Sequence, residues 1–190
     1  MPKDYAALPA NEVRRADRAM NDEAWIADML HRAAIGYLAT VHDGQPFINS
    51  NLFVYDADQH AIYMHTARVG RTRANIEDTS PARVCFTVSE MGRLLPADEA
   101  LEFSVEYSGV VVFGTAQIIE DRAEQERTLQ LLLDKYFPHL KPGEHYRPIV
   151  PEELARTSVY RIDIESWSGK RKKVEDDFPG AFLYGEPPIS

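Results

Sequence analysis

At 190 residues, with 44% hydrophobic and 27% charged side chains, the chain is sized for a single globular domain with its own core. A net charge of −9 argues against general nucleic-acid binding, so any basic cluster is a local device. Cys85 is the only cysteine, which excludes an intrachain disulfide. No apolar run is long enough to span a bilayer, and the opening Met1-Pro2-Lys3-Asp4-Tyr5 lacks a signal peptide's apolar core, so a cytoplasmic setting is expected.

Residues 1–12 have no periodic pattern and are expected to form an N-terminal arm. Asn21-Asp22-Glu23 is a helix start, and Trp25, Ile26, Met29, Leu30 and Ala33 share one stripe, predicting a helix over about 21–34 stopped at Gly36. Tyr37–Val41 and Phe47–Tyr55 read as strands joined by a hairpin at His42-Asp43-Gly44-Gln45-Pro46. Three small polar residues, Asn49-Ser50-Asn51, interrupt the second strand. Amides are depleted in strands, so either this is a solvated edge or these side chains line a polar cavity.

A third strand, Ala61–Thr66, leads through Gly70 into a short helix ending before Pro81. Arg68, Arg71 and Arg73 crowd this junction, and no acid appears until Glu77. A helix start carries unpaired N–H groups and a partial positive charge, so acids belong there. The junction is therefore either a solvated basic turn or a site where a phosphate meets backbone N–H groups and guanidinium groups.

Ala82–Val88 is the next strand, and residues 89–104 read as an acidic, irregular excursion. Glu106–Glu120 is a long strand bent or bulged at Gly114. Asp121 with Glu124 resembles a capping box, opening a helix whose buried stripe is Leu129, Leu132, Leu133 and Tyr136. A loop rich in Pro and Gly follows Pro138, then a helical turn at Glu152–Arg156 and a last strand, Val159–Glu165. The order of elements predicts a mainly β (α+β) domain, an antiparallel barrel with helices outside it. Residues 178–190 are expected to be a tail outside the core.

The six histidines show no metal-binding spacing, and no nucleophile elbow, GxGxxG or P-loop occurs. A second basic cluster, Ser166-Trp167-Ser168-Gly169-Lys170-Arg171-Lys172-Lys173, follows the last predicted strand. It is either a solvated loop or a place where Trp167 covers a planar ligand while Lys170 meets an anion.

Three stretches resemble the pyridoxamine-5′-phosphate-oxidase-like family, in its nitroimidazole-reductase-type branch: His65-Thr66-Ala67 with Gly70-Arg71, Phe103-Ser104 with Tyr107-Ser108 ahead of Phe113-Gly114, and Trp167-Ser168-Gly169-Lys170-Arg171. The resemblance covers roughly residues 13–175. It implies a six-stranded antiparallel split β-barrel with flanking helices, a homodimer, and FMN at the subunit interface. Carried over, it implies that His65, Thr66, Arg71 and Thr72 surround the phosphate and ribityl chain. Asn49, Ser50, Asn51, Tyr63 and Met64 border the ring, and Tyr107, Ser108, Trp167 and Lys170 contribute nearby, some from the partner chain. Gly109 stands where many relatives carry valine. The tail has no Arg or Lys for a substrate phosphate, which argues against vitamin B6 oxidation. The expected activity is an FMN-dependent oxidoreductase, of the flavin-reductase or nitroreductase kind, that accepts hydride from NAD(P)H and serves a small-molecule substrate. His65 is the candidate proton donor. The rival readings are a non-catalytic barrel carrying FMN, a deazaflavin or haem, and a cofactor-free barrel that binds an anionic partner through Lys170–Lys173.

Overall fold

A computed structural model describes residues 4–186; the first three residues of the predicted arm and the last four of the tail lie outside the described residues. The hairpin is present as β2 (Gly36–His42) and β3 (Gln45–Asn51), and its turn residues Asp43 and Gly44 have φ of 49° and 74°. Positive φ at both positions gives the turn a twist that matches the flanking strands. Ahead of it, α1 (Glu23–Arg32) is capped by Asp22 rather than Asn21: its carboxylate accepts from the Ala24 and Trp25 N–H groups. The helix ends at Ala33, so Gly36 is not its stop. A Cβ on Gly36 would lie 2.0 Å from Cζ of the buried Phe86, so this glycine serves close approach inside the barrel.

The run 47–55 is not one strand. It breaks at Leu52 into β3, which pairs with β2, and β4 (Phe53–Asp56), which pairs with β5 (Ala61–Ala67). The remaining long strands are β6 (Ala82–Leu95), β7 (Ser104–Ile118) and β8 (Thr157–Lys172). The order is β3-β2-β6-β7-β8-β5-β4, antiparallel throughout, with the two-residue β1 (Ala19–Met20) added beside β8. Because β3 and β4 are halves of one bent run, they join the two ends of this order and close the barrel. Counted that way, the barrel has the six principal strands the resemblance implies.

Two stretches expected outside the sheet belong to it. Residues 89–95 continue β6, with a bulge between Met91 and Leu94, so only the segment after Leu95 leaves the ladder. Arg93 explains why so polar a stretch stays put. Its guanidinium bridges the Glu106 carboxylate on β7, at 2.9 Å, and the carbonyls of Val174, Glu175 and Asp176. That arginine holds the Glu106 carboxyl at about 2. The basic run after Glu165 is also strand: β8 continues through Lys172, with Gly169 buried. The expected irregularity at Gly114 is a bulge on the facing strand. Phe113 pairs with Ser166 and Gly114 with Ile164, leaving Glu165 unopposed.

The main core fills the barrel with Phe53, Met64, Phe86, Val110, Val112 and Tyr160. A smaller cluster, with Tyr63, Ile119, Leu132 and Val159, lies under α3 (Arg122–Tyr136), whose cap Asp121 accepts from the Glu124 N–H. The short α4 (Pro151–Leu154) precedes β8, and α2 (Arg71–Asp78) follows β5. In the arm, Asn11 donates to the Trp167 carbonyl, and in the tail Phe182 and Leu94 exchange backbone hydrogen bonds.

Candidate functional site

The β4–β5 ladder runs from Asp56–Ala61 to Phe53–Met64 and stops, while β5 continues to Ala67 against β8. On the other side β3 stays with β2 up to the Gly36–Asn51 pair. The bend at Leu52 therefore opens the barrel between β3 and the last three residues of β5. α2 starts there and is tied to β3 by a hydrogen bond from Asn49 Nδ2 to Thr72 Oγ1 of 3.2 Å.

Both edges of this opening carry a buried nitrogen with no partner among the described residues: Asn51 Nδ2 and His65 Nδ1. An unsatisfied buried polar atom costs roughly 1–3 kcal/mol, and two of them stand beside this one opening. The other two such atoms, Asn75 Oδ1 and Thr128 Oγ1, sit on buried faces of α2 and α3. Burial also lowers the pKa of His65, which favours the neutral ring.

The start of α2 keeps the character read from the sequence. Gly70 offers no side-chain cap, and the first turn has no acid. The Arg71 side chain is exposed and makes no hydrogen bond or ion pair among the described residues, and the same holds for the Arg68 side chain. Arg73 does not belong to the group. Its guanidinium is committed to Ser158 Oγ at 2.9 Å and Glu77 at 3.1 Å. Of the three, Arg68 and Arg71 thus have guanidinium groups without a partner among the described residues.

Of the other expected site residues, Thr66 lies at the opening, its hydroxyl 2.8 Å from that of Tyr160. Thr72 is buried and accepts from Asn49, and Ser50 is exposed on the opposite face of β3. Tyr63 and Met64 are fully buried. Met64 is in the barrel core, and Tyr63 lies beneath α3 with its hydroxyl accepting from Arg161 at 2.8 Å, so both leave only their backbone to a ligand. Tyr107, Ser108, Trp167 and Lys170 lie elsewhere, with Tyr107 and Lys170 on the outer face of the sheet and Trp167 turned to the core. Val159 pairs with His65, and Trp167 is eight residues further along β8, about 26 Å away at strand spacing. At that far end Arg18 donates to the Tyr107 hydroxyl and Lys170 lies 5.4 Å from its ring centroid. Burial works to raise the Tyr107 phenol, but these two cations outweigh it and lower its pKa. The Trp167 ring packs edge-on against His60, 4.7 Å between centroids.

The structure adds a neighbour that the sequence hid. Leu129, Leu133 and Tyr136, expected as core, are only partly buried; with Leu52, Phe137 and His65 they line an apolar cavity of about 280 Å³. The signal in the sequence was an apolar excess at the end of α3 that continues into Phe137, wider than one stripe needs. Among the described residues no group of His, Cys, Asp and Glu is placed to hold a metal ion, and no helix is long and apolar enough to cross a membrane.

Comparison with solved structures finds the same fold repeatedly. The flavocytochrome Anf3 of Azotobacter vinelandii is 25% identical with a TM-score of 0.75, over 95% of this chain and 87% of that one. An FAD- and haem-binding protein of Mycobacterium smegmatis is 22% identical with a TM-score of 0.73, covering 83% and 74%. A 5-nitroimidazole antibiotic resistance protein of Bacteroides thetaiotaomicron is 18% identical with a TM-score of 0.64, covering 80% and 86%. Comparison with curated protein sequences returns no match. The family model described as pyridoxamine 5′-phosphate oxidase matches residues 22–171, which takes in every principal strand and all four α-helices. The chain belongs to the pyridoxamine-5′-phosphate-oxidase-like family.

Proposed function

We propose that this protein is a flavin-dependent oxidoreductase that holds FMN in the opening between β3 and β5. One observation carries the reading: the unpartnered Asn51 and His65 nitrogens flank the opening beside the unpaired Arg71. These are the donors and cation that a phosphorylated, hydroxyl-rich ligand needs. In this reading Arg71 and the bare start of α2 hold the phosphate, with Thr66 and Thr72 beside it, and Asn49 and Asn51 offer amide hydrogen bonds further in. When bound, FMN supplies hydride acceptance from NAD(P)H and delivery of electrons to a small-molecule acceptor. His65, neutral and half-buried, is the group that moves a proton at Nδ1.

Completing the site takes a second copy of the chain. Tyr107 and Ser108 on β7, and Trp167 and Lys170 on β8, lie too far along the sheet to share a ligand with His65 of their own chain, so a two-fold homodimer is the arrangement that uses both sets. Tyr37, Val41 and Ile48 supply an exposed apolar face on β2 and β3 for it, continued by the half-buried Phe113 on β7.

The test is the absorption spectrum of the purified protein, followed by titration with FMN and riboflavin. Charge-assisted bonds are worth about 1.5–3 kcal/mol, so Arg71→Ala should weaken FMN about ten- to a hundredfold and leave riboflavin nearly unchanged. Equal losses for both ligands refute the phosphate assignment.

A second reading is haem beside His65, favoured by the apolar cavity into which that histidine is built. Two structural relatives are a flavocytochrome and an FAD- and haem-binding protein. A Soret band that disappears in His65→Gln supports it, and a flavin spectrum without one removes it.

A further inference from the structure

A second cavity borders the β5–α2 turn. It measures about 330 Å³ and is lined by Arg68 from that turn, Glu120 and Arg122 at the start of α3, Gln125 within α3, and Pro151 and Leu154 of α4. Its charge is not internally settled. Neither Arg68 nor Arg122 has a hydrogen-bonded or ionic side-chain partner among the described residues, and the Glu120 carboxylate, on the same wall, pairs with neither. The Arg68 N–H donates to the Arg156 carbonyl at 3.1 Å. That bond fixes the Arg68 backbone while leaving its guanidinium free. Two cations and one acid lining one recess leave an excess of positive charge with no partner among the described residues. The other wall differs in kind: Leu154 is buried, and the buried Gln125 gives Nε2 to the Ile119 carbonyl at 2.6 Å, leaving its amide oxygen uncommitted.

We infer that this cavity is a nucleotide subsite that takes an adenosine 5′-phosphate group. Arg68 and Arg122 meet the phosphate, the apolar α4 wall faces the base, and the Gln125 oxygen accepts from a hydroxyl or exocyclic amine. Arg68 lies three residues from Arg71, a Cα span of at most about 11 Å, which is short enough for one dinucleotide to meet both arginines with its two halves straddling the β5–α2 turn. The inference rests on the flavin reading for the first half. Two sources share this chemistry: the adenylate half of FAD, bound as the cofactor itself, or the adenosine half of a nicotinamide dinucleotide approaching bound FMN.

The experiment titrates 5′-AMP, adenosine, FMN and FAD into the wild-type protein, the double variant Arg68→Gln/Arg122→Gln, and Arg71→Ala. ADP-ribose is titrated into the FMN-loaded wild type and double variant. Both arginines of the double variant are exposed, and its unchanged FMN affinity serves as the check on folding. The expected result is that 5′-AMP binds the wild type more tightly than adenosine and loses at least about tenfold in the double variant, while Arg71→Ala leaves it alone. If FAD supplies the group, FAD outbinds FMN and falls to the FMN value in the double variant. If a nicotinamide dinucleotide supplies it, FAD and FMN bind alike and ADP-ribose loses affinity instead. Affinities for 5′-AMP, FAD and ADP-ribose that do not change in the double variant overturn the subsite. Failure of FMN to bind the wild type overturns the flavin reading, and the 5′-AMP titration still decides the subsite.

Discussion

Replacing Asn51 by leucine should stabilise the ligand-free protein and weaken flavin binding at the same time. The Asn51 amide nitrogen is buried without a partner, so the empty protein carries a desolvation cost of roughly 1–3 kcal/mol at this position. Leucine has the same number and branching of side-chain heavy atoms and no polar atom, and so removes that cost. For a chain of this length each kcal/mol moves Tm by about 2–4 °C, giving an expected rise of roughly 2–12 °C in the apoprotein. In the proposed FMN complex the amide has its partner, and losing that hydrogen bond costs about 0.5–1.5 kcal/mol, or roughly two- to tenfold in Kd. Thermal unfolding with and without saturating FMN reads both effects in one assay, because the ligand-induced shift must shrink as the baseline rises. Asn49→Leu is the control. Its nitrogen already bonds Thr72, so that variant should destabilise the empty protein. An Asn51→Leu apoprotein that melts lower than wild type refutes the reasoning.

His65 gives a pH signature. Burial lowers its folded pKa below the ordinary 6.5, so its contribution to stability is full above 6.5 and is lost as pH falls from there through the folded value. His65→Gln should flatten that part of the stability curve, as read by urea midpoints between pH 7.5 and 5, and an unchanged slope refutes the assignment. Gly36→Ala places a methyl 2.0 Å from Cζ of Phe86 inside the filled barrel. Overpacking of that kind costs about 1–3 kcal/mol, and the variant should lose about 2–12 °C in Tm; an unchanged melt shows that the ring can move aside. Ile48→Lys puts a charge on the exposed apolar face of β3, and sedimentation velocity should show a dimeric wild type dissociating in the variant. A monomeric wild type that still binds FMN removes the dimer.

The sequence by itself determined the local elements whose signals are short-range. The positive-φ turn at Asp43-Gly44, the amphipathic stripe of α1, the Asp121 cap and the uncapped, arginine-rich start of α2 all follow from residues within a few positions of one another. It also flagged Asn51 and His65, because an amide in mid-strand and a histidine at the end of an apolar strand are locally out of place. Tertiary structure alone decided the rest, and in each case through partners distant in the chain. Whether Phe47–Tyr55 is one strand or two depends on β2 and β5 claiming its halves, and no residue near Leu52 encodes that choice. Residues 89–95 look like loop because their partners, Glu106 and the carbonyls of 174–176, come later in the sequence. Arg73 looks as free as Arg71 until Ser158, 85 positions away, takes its guanidinium. The cavity of Arg68 and Arg122 had no local sign at all. It exists because strand pairing brings the β5–α2 turn beside the start of α3, and charge left over from such long-range packing is visible only once the chain is folded.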